Sequence, residues 1–164
     1  MPRRGYPHHD MPNTYTQLYI HCVFAVKYRA AVISSEWEER LHKYITGIAQ
    51  NNGHKLLAIN SVSDHVHLLI GLSPAQSISE IMRLVKGDSS EFINKNGLTK
   101  TKFQWQEGYG AFSNSHSQID AVVKYIINQK HHHQKKNFHQ EYLDMLKDYA
   151  VDFNEQYIFK DLLD

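Results

Sequence analysis

Asp64-His65-Val66-His67-Leu68-Leu69-Ile70 reads as a short strand. Side chains along a strand alternate between two faces, so His65, His67 and Leu69 fall on one side and Val66, Leu68 and Ile70 on the other. The second set is wholly apolar and has to be packed. The first presents two imidazoles side by side, a spacing that brings both rings to one point and suits a single divalent metal ion. In a chain with 12 histidines such a pair also arises from composition alone, so its meaning depends on what surrounds it.

Immediately upstream, Ser63-Asp64 reads as a tight turn from an earlier strand over Lys55 to Val62, which gives an antiparallel pair. Asp64 is a turn residue first and a candidate for orienting a ligand histidine second. Before that pair, Ser35-Glu36-Trp37-Glu38 predicts a capping box. Trp37, Leu41, Tyr44, Ile45 and Ile48 then continue at helical spacing until Asn51-Asn52-Gly53. Thr14 to Lys27 alternates again, with Leu18, Ile20, Cys22, Phe24 and Val26 against Tyr19, His21, Val23 and Ala25, and reads as the first strand. If it lies beside the His65 strand, His21 can stand behind the same site. Lys27 and Arg29 at its exit suit phosphate contacts as well as plain solvation.

Downstream, Ser77-Ile78-Ser79-Glu80 predicts a second capping box and a helix with apolar positions Ile78, Ile81, Met82, Val85, Phe92 and Ile93. Lys86, Ser89 and Ser90 lie on its polar side, where DNA backbone contact competes with ordinary solvation. Asn96-Gly97 ends it, and Phe103 to Ser113 predicts a fourth strand kinked or bulged at Gly108 and Gly110. The order strand, helix, strand, strand, helix, strand is a ferredoxin-like (RRM-like) split βαβ sandwich. This is an α+β fold whose antiparallel sheet has one face under two helices and the other free.

A later helix carries Ile119, Val122, Val123, Ile126 and Ile127 as its apolar stripe. At about 100° per residue Tyr125 lies over a third of a turn from the centre of that stripe, so it is expected to point outward, with Gln129 one turn beyond. This helix can lie across the free face where the His pair points. Lys124, Lys130 and the run His131 to Lys136 finish it with basic or titratable groups, of which His133 stands four beyond Gln129. Tyr142, Leu143, Leu146 and Tyr149 suggest a short last helix, followed by an extended or irregular stretch over Asp152 to Phe159 and an acidic tail.

Composition sets outer bounds. The 164 residues are one domain's worth, with residues 1–13 read as a flexible leader and 14–164 as a single domain. A single cysteine, Cys22, excludes an internal disulfide and suits a reducing compartment. No stretch approaches a membrane span or a signal-peptide core, so a cytoplasmic protein is expected. The formal charge of +1 is a cancellation: residues 1–139 carry 16 Lys and Arg against 10 Asp and Glu, and residues 140–164 carry 2 against 7. A basic body could bind phosphates while the acidic tail lies elsewhere.

His65-Val66-His67 and the Tyr125–Gln129 pair together resemble the single-tyrosine HUH transposases of small insertion sequences (TnpA-like) and the related REP-associated tyrosine transposases. Further similarity lies in His21-Cys22-Val23-Phe24-Ala25-Val26-Lys27-Tyr28-Arg29, Lys86-Gly87-Asp88-Ser89-Ser90 and Trp105-Gln106-Glu107-Gly108-Tyr109-Gly110-Ala111-Phe112-Ser113. The pieces occur in the family's order over roughly residues 14 to 140. The resemblance implies a metal-dependent enzyme of single-stranded DNA that recognises hairpins near element ends. Tyr125 would be the nucleophile, forming a 5′-phosphotyrosine, and His65, His67 and Gln129 would hold Mg2+ or Mn2+. It also implies a homodimer in which one subunit's tyrosine helix can serve the other's His pair. His21 and Asp64 are candidates to support the ligands, and Lys27, Arg29, Lys86, Lys124, Lys130 and His133 to bind DNA. Two other readings compete: a non-catalytic or domesticated nucleic-acid-binding module on the same fold, and a small metal-dependent hydrolase that uses water and needs no tyrosine.

Overall fold

The structure is a computed structural model and describes residues 14–152. The expected leader over residues 1–13 and most of the C-terminal stretch and acidic tail lie outside the described residues. Four strands form one antiparallel sheet in the order β2-β3-β1-β4, with β1 at Tyr19–Ala25, β2 at Lys55–Val62, β3 at His65–Gly71 and β4 at Gly110–Asn114. Helix α1, Glu38–Asn51, connects β1 to β2, and α2, Ile78–Lys95, connects β3 to β4. This is the expected ferredoxin-like arrangement.

Alternation sorts the sheet's two faces as the sequence predicts. Ile20, Cys22, Phe24 and Val26 of the first strand segment join Val66, Leu68 and Ile70 in one core, covered by Leu41 and Ile45 of α1 and Ile81, Met82, Val85 and Ile93 of α2. The register pairs Val23 with His67 and Ala25 with His65, so His21, Val23, Ala25, His65, His67 and Leu69 share the opposite face. Three further helices cover that second face: α3, Ile119–Ile127, α4, Gln129–His132, and α5, Phe138–Asp148.

Several boundaries differ from expectation, each for a local reason. No capping box forms at Ser35. Instead Ser34 turns the chain, its carbonyl accepting from the amides of Trp37 and Glu38, and α1 starts one residue after Trp37, whose indole is buried in the core. The Glu38 carboxylate, free of capping, accepts from Lys130 at 2.7 Å. At the second helix the Ser77 hydroxyl does accept from the Glu80 amide at 3.1 Å, while the Glu80 carboxylate pairs with Arg83 rather than reaching back.

The fourth strand is shorter than the predicted Phe103 to Ser113. Trp105 pairs with the chain just past β1 through an isolated backbone bridge to Val26, its ring packs edge-on against Phe24 of β1, and its indole donates to the Ser89 hydroxyl. The chain then turns at Gly108, φ +82°, before β4 begins. Gly110 opens that strand beneath α5: a Cβ there would stand 2.8 Å from the Tyr142 ring and 2.9 Å from the Phe112 ring. Only a residue without a side chain lets the last helix come this close. The predicted tyrosine helix is also interrupted, because Asn128, at φ −90° and ψ 17°, separates α3 from α4.

Candidate active site

The hairpin turn places Asp64 directly before His65, and its Oδ1 lies 2.7 Å from His65 Nδ1. A carboxylate only accepts, so Nδ1 carries a proton and Nε2 is turned toward the space above the sheet. Two residues on, the His67 Nδ1 meets His21 Nε2 at 2.8 Å, so its Nε2 faces that same space. His21, expected behind the pair, is therefore in contact with it across the β1–β3 register. Both members of the pair are fully buried.

Tyr125 comes down onto these rings rather than pointing outward as its helical phase predicted. Ring centroids are 5.7 Å from His67, 6.0 Å from His21 and 4.8 Å from His132. The outward expectation treated Ile127 as core, but Ile127 is 61% exposed and only Ile126 of the two isoleucines is buried. The helix is rolled toward the tyrosine side, so Tyr125 and Ile126 both face the sheet. Asn60 of β2, on the same face and paired with His67, pins this position: its Nδ2 donates to the carbonyls of Ile126 and Ile127 at 3.0 and 2.9 Å. Those carbonyls belong to the last turn of a helix, which lacks the full set of intrahelical donors and takes partners from elsewhere when covered. The break that follows lets α4 start with Gln129 turned inward, fully buried, its Oε1 3.4 Å from His65 Nε2.

At the centre sits a residue the sequence analysis did not single out. Glu141 of α5, 4% exposed, places Oε1 3.0 Å from His67 Nε2, 3.1 Å from His133 Nε2 and 3.4 Å from His65 Nε2. Its Oε2 accepts from the Tyr125 hydroxyl and lies 3.4 Å from Gln129 Nε2. The acidic end of the described chain thus does not lie elsewhere; it supplies the carboxylate around which the site closes. The signal was present in α5, where Glu141 falls among Phe138, Tyr142 and Met145 at helical spacing, a charge inside an apolar stripe. His65 stacks on Phe138 at 3.8 Å between centroids, fastening the base of the helix to the His pair.

The electrostatics follow from burial and these contacts. Burial pushes His67 down to about 4 and His21 down to about 3, each reinforced by a neighbouring imidazole, so both are neutral at pH 7. Burial opposes the charging of His65 as well, but its bonds to Asp64 and Glu141 outweigh that and raise it. Burial likewise works to raise Glu141, yet three imidazole contacts hold it far below the carboxylate range. Tyr125 is driven well above the usual phenol range, first by burial and then by the Glu141 charge. It stays protonated and donates.

Histidine and carboxylate atoms of His65, His67, His133 and Glu141 all lie within 4.8 Å of one another, a donor set that suits a divalent ion. Two imidazoles with outer nitrogens already engaged, plus buried oxygen donors, fit the ion that the resemblance implies. Of the basic residues expected near DNA, Lys124 is exposed, Lys27 reaches Gln104, and Lys130 pairs with Glu38. Lys86 donates to the carbonyls of Gln106 and Gly108, both at 2.7 Å, and so clamps the loop before β4. Arg29 follows Tyr28 at the β1 exit, both with positive φ.

A family model described as "Transposase IS200 like" matches residues 14–129. The ISDra2 transposase TnpA of Deinococcus radiodurans is 30% identical over 118 residues, spanning 69% of this chain and 84% of that protein. The transposase for insertion sequence element IS200 of Salmonella typhimurium is 29% identical over 94 residues, or 54% of this chain and 62% of the relative. Among solved structures, one of a Deinococcus radiodurans R1 protein assigned as a transposase superposes with a TM-score of 0.59 at 28% identity. It covers 71% of this chain and 94% of its own. The REP-associated tyrosine transposase bound to a REP hairpin superposes with a TM-score of 0.56, covering 74% and 72%; at 15% identity that likeness shows the fold alone. The family match ends at Gln129, so His133 and Glu141 lie beyond it.

Proposed function

This chain belongs to the IS200-like transposase family, a family of DNA strand transfer, and we propose that it cleaves and rejoins single-stranded DNA through a covalent bond to Tyr125, with a divalent metal as cofactor. The observation that carries the reading is convergence. The Tyr125 hydroxyl and the inner nitrogens of His65 and His67 all reach toward the two oxygens of one carboxylate.

His65 and His67, with the Gln129 carboxamide oxygen, would hold Mg2+ or Mn2+. Bound there, the ion supplies positive charge that polarises a scissile phosphate and favours the ionised phenol, whose pKa is otherwise driven up. Asp64 and His21 keep both imidazoles in the ligand orientation. Asn60 fixes the end of α3, so Tyr125 is presented from a set height above the sheet. Attack by the Tyr125 oxygen on phosphorus forms one O–P bond as the bond to the 3′ oxygen breaks, leaving a 5′-phosphotyrosine and a free 3′-hydroxyl. Because one phosphodiester replaces another, the 3′-hydroxyl of a second strand can reverse the step and join.

The substrate is DNA carrying hairpins near its ends, with Lys27, Arg29, Lys124 and Lys130 contacting phosphates around the site, and the protein acts as a homodimer. Within this chain Tyr125 stands over its own His pair, the cis arrangement. The test is a denaturing gel with labelled single-stranded end DNA and Mg2+ or Mn2+. A metal-dependent adduct that Tyr125→Phe abolishes supports the reading. Retained binding without any adduct, across hairpins and both metals, would move the chain to a binding role, and metal-dependent cleavage that survives Tyr125→Phe would make it a hydrolase.

A further inference from the structure

We propose that Glu141 is both a ligand of the metal ion and the residue that holds Tyr125 beside it, so that α5, outside the stretch shared with the family, is part of the active centre. The proposal rests on the metal-dependent reading of the site and adds to it an anionic ligand and a positioning residue.

Atoms that share one ion at about 2.1 Å, at right-angle to tetrahedral geometry, stand about 3.0–3.4 Å apart. Glu141 Oε1 lies 3.0, 3.1 and 3.4 Å from the inner nitrogens of His67, His133 and His65, the spacing of neighbouring ligands around a common centre. Charge points the same way. His65, His67 and Gln129 offer Mg2+ or Mn2+ only neutral donors, whereas hard cations favour anionic oxygen. Among the described residues every ion-pair partner of Glu141 is an imidazole, none a lysine or arginine. A carboxylate taken this far out of water calls for a full positive charge, and an ion among these donors provides it.

The other oxygen does a different task. Oε2 accepts from the Tyr125 hydroxyl, so one side chain spans from the ligand cluster to the nucleophile. The carboxylate's rigid plane then sets the separation between the ion and the phenol oxygen. Gly110, which lets Tyr142 pack close, and Phe138, stacked on His65, deliver α5 to that position. Because the ion would join β3 to α5, loading it must also stabilise α5 against local opening.

Calorimetric titration of the full chain with Mn2+ tests this, together with hydrogen exchange of α5 with and without the ion. Glu141→Gln should weaken Mn2+ by about tenfold or more, taking the effect of losing an outer partner as the floor. The metal-dependent protection of α5 should disappear with it. Unchanged or tighter Mn2+ binding in Glu141→Gln, with His65→Ala still losing the ion, would overturn the proposal and leave the metal reading standing. Mn2+ binding that His65→Ala does not alter, or none by the unmodified chain, would overturn both. If Glu141→Gln does not fold, Glu141→Asp carries the test, since a carboxylate one methylene shorter must also lose affinity; equal affinity would again count against it.

Discussion

Both faces of the central strand β3 are buried, and they are built on opposite terms. On one, Val66, Leu68 and Ile70 meet two long helices, each an unbroken amphipathic run, and the packing is mostly apolar, with a few polar contacts such as that of Trp105 with Ser89. On the other, His65 and His67, drawn from the same seven-residue strand, meet three short helices with a break at Asn128 and a carboxylate among them. Apolar packing is non-directional and tolerates adjustment, whereas buried polar groups must each find a partner at defined distance and angle. The first face holds the fold together; the second uses that rigidity to fix a set of side chains that would be costly in isolation. Burial therefore does not separate core from site here. The chemistry of what is buried does.

Substitutions can pull the faces apart. Leu68→Ala, on the apolar face, should cost about 2–5 kcal/mol of unfolding free energy through lost packing and a residual cavity. Urea denaturation measures it, and a loss below about 1 kcal/mol would mean this face is not the principal core. Gly110→Ala acts on the other face, where the new Cβ meets the Tyr142 and Phe112 rings. The expected cost is smaller, about 1–3 kcal/mol of overpacking, and should appear first as faster hydrogen exchange in α5 while α1 and α2 keep their protection. Uniform loss of protection in all helices would show that the faces are not separable.

The smallest effect is pH dependence in the metal-free chain. Unfolded histidines take up protons near 6.5, but His67 and His21 stay neutral in the folded state down to about 4 and about 3. Their stabilisation is complete above 6.5 and is lost as pH falls from there toward 4. His65, raised, has the opposite sign, its share being complete below 6.5 and lost as pH rises through its folded value. With His42 also lowered by burial, three depressed histidines against one raised give a net fall in stability between pH 7 and pH 5. His21→Asn should flatten that fall, and urea midpoints at the two pH values measure both effects; an unchanged slope would contradict the buried, neutral assignment.

Much of this contrast is legible from residues alone. Strict alternation in Leu18 to Val26 and His65 to Ile70 assigns both faces, because a one-residue slip would bury the wrong set. Asn51-Asn52-Gly53 and Asn96-Gly97 mark helix ends for equally local reasons. Tertiary demands decide the rest. Burying Trp37 displaces the start of α1, and Asn60 sets how α3 rolls, so helical phase misplaces Tyr125. Glu141 was counted with the acidic tail because net charge over a segment says nothing about which carboxylate folds inward. Its position among apolar residues of α5 is the pattern that distinguishes it.

The central claim is that the polar face performs chemistry through one tyrosine. Trypsin cutting after Lys124 and Lys130 releases Tyr125 to Lys130, a peptide with a single tyrosine and no serine or threonine. Mass spectrometry of the protein after incubation with single-stranded end DNA, Mn2+ and nuclease should find this peptide carrying a 5′-phosphorylated nucleotide, and only when metal is present. A nucleotide on a different tyrosine, or on none while the DNA is still cut, would contradict the account.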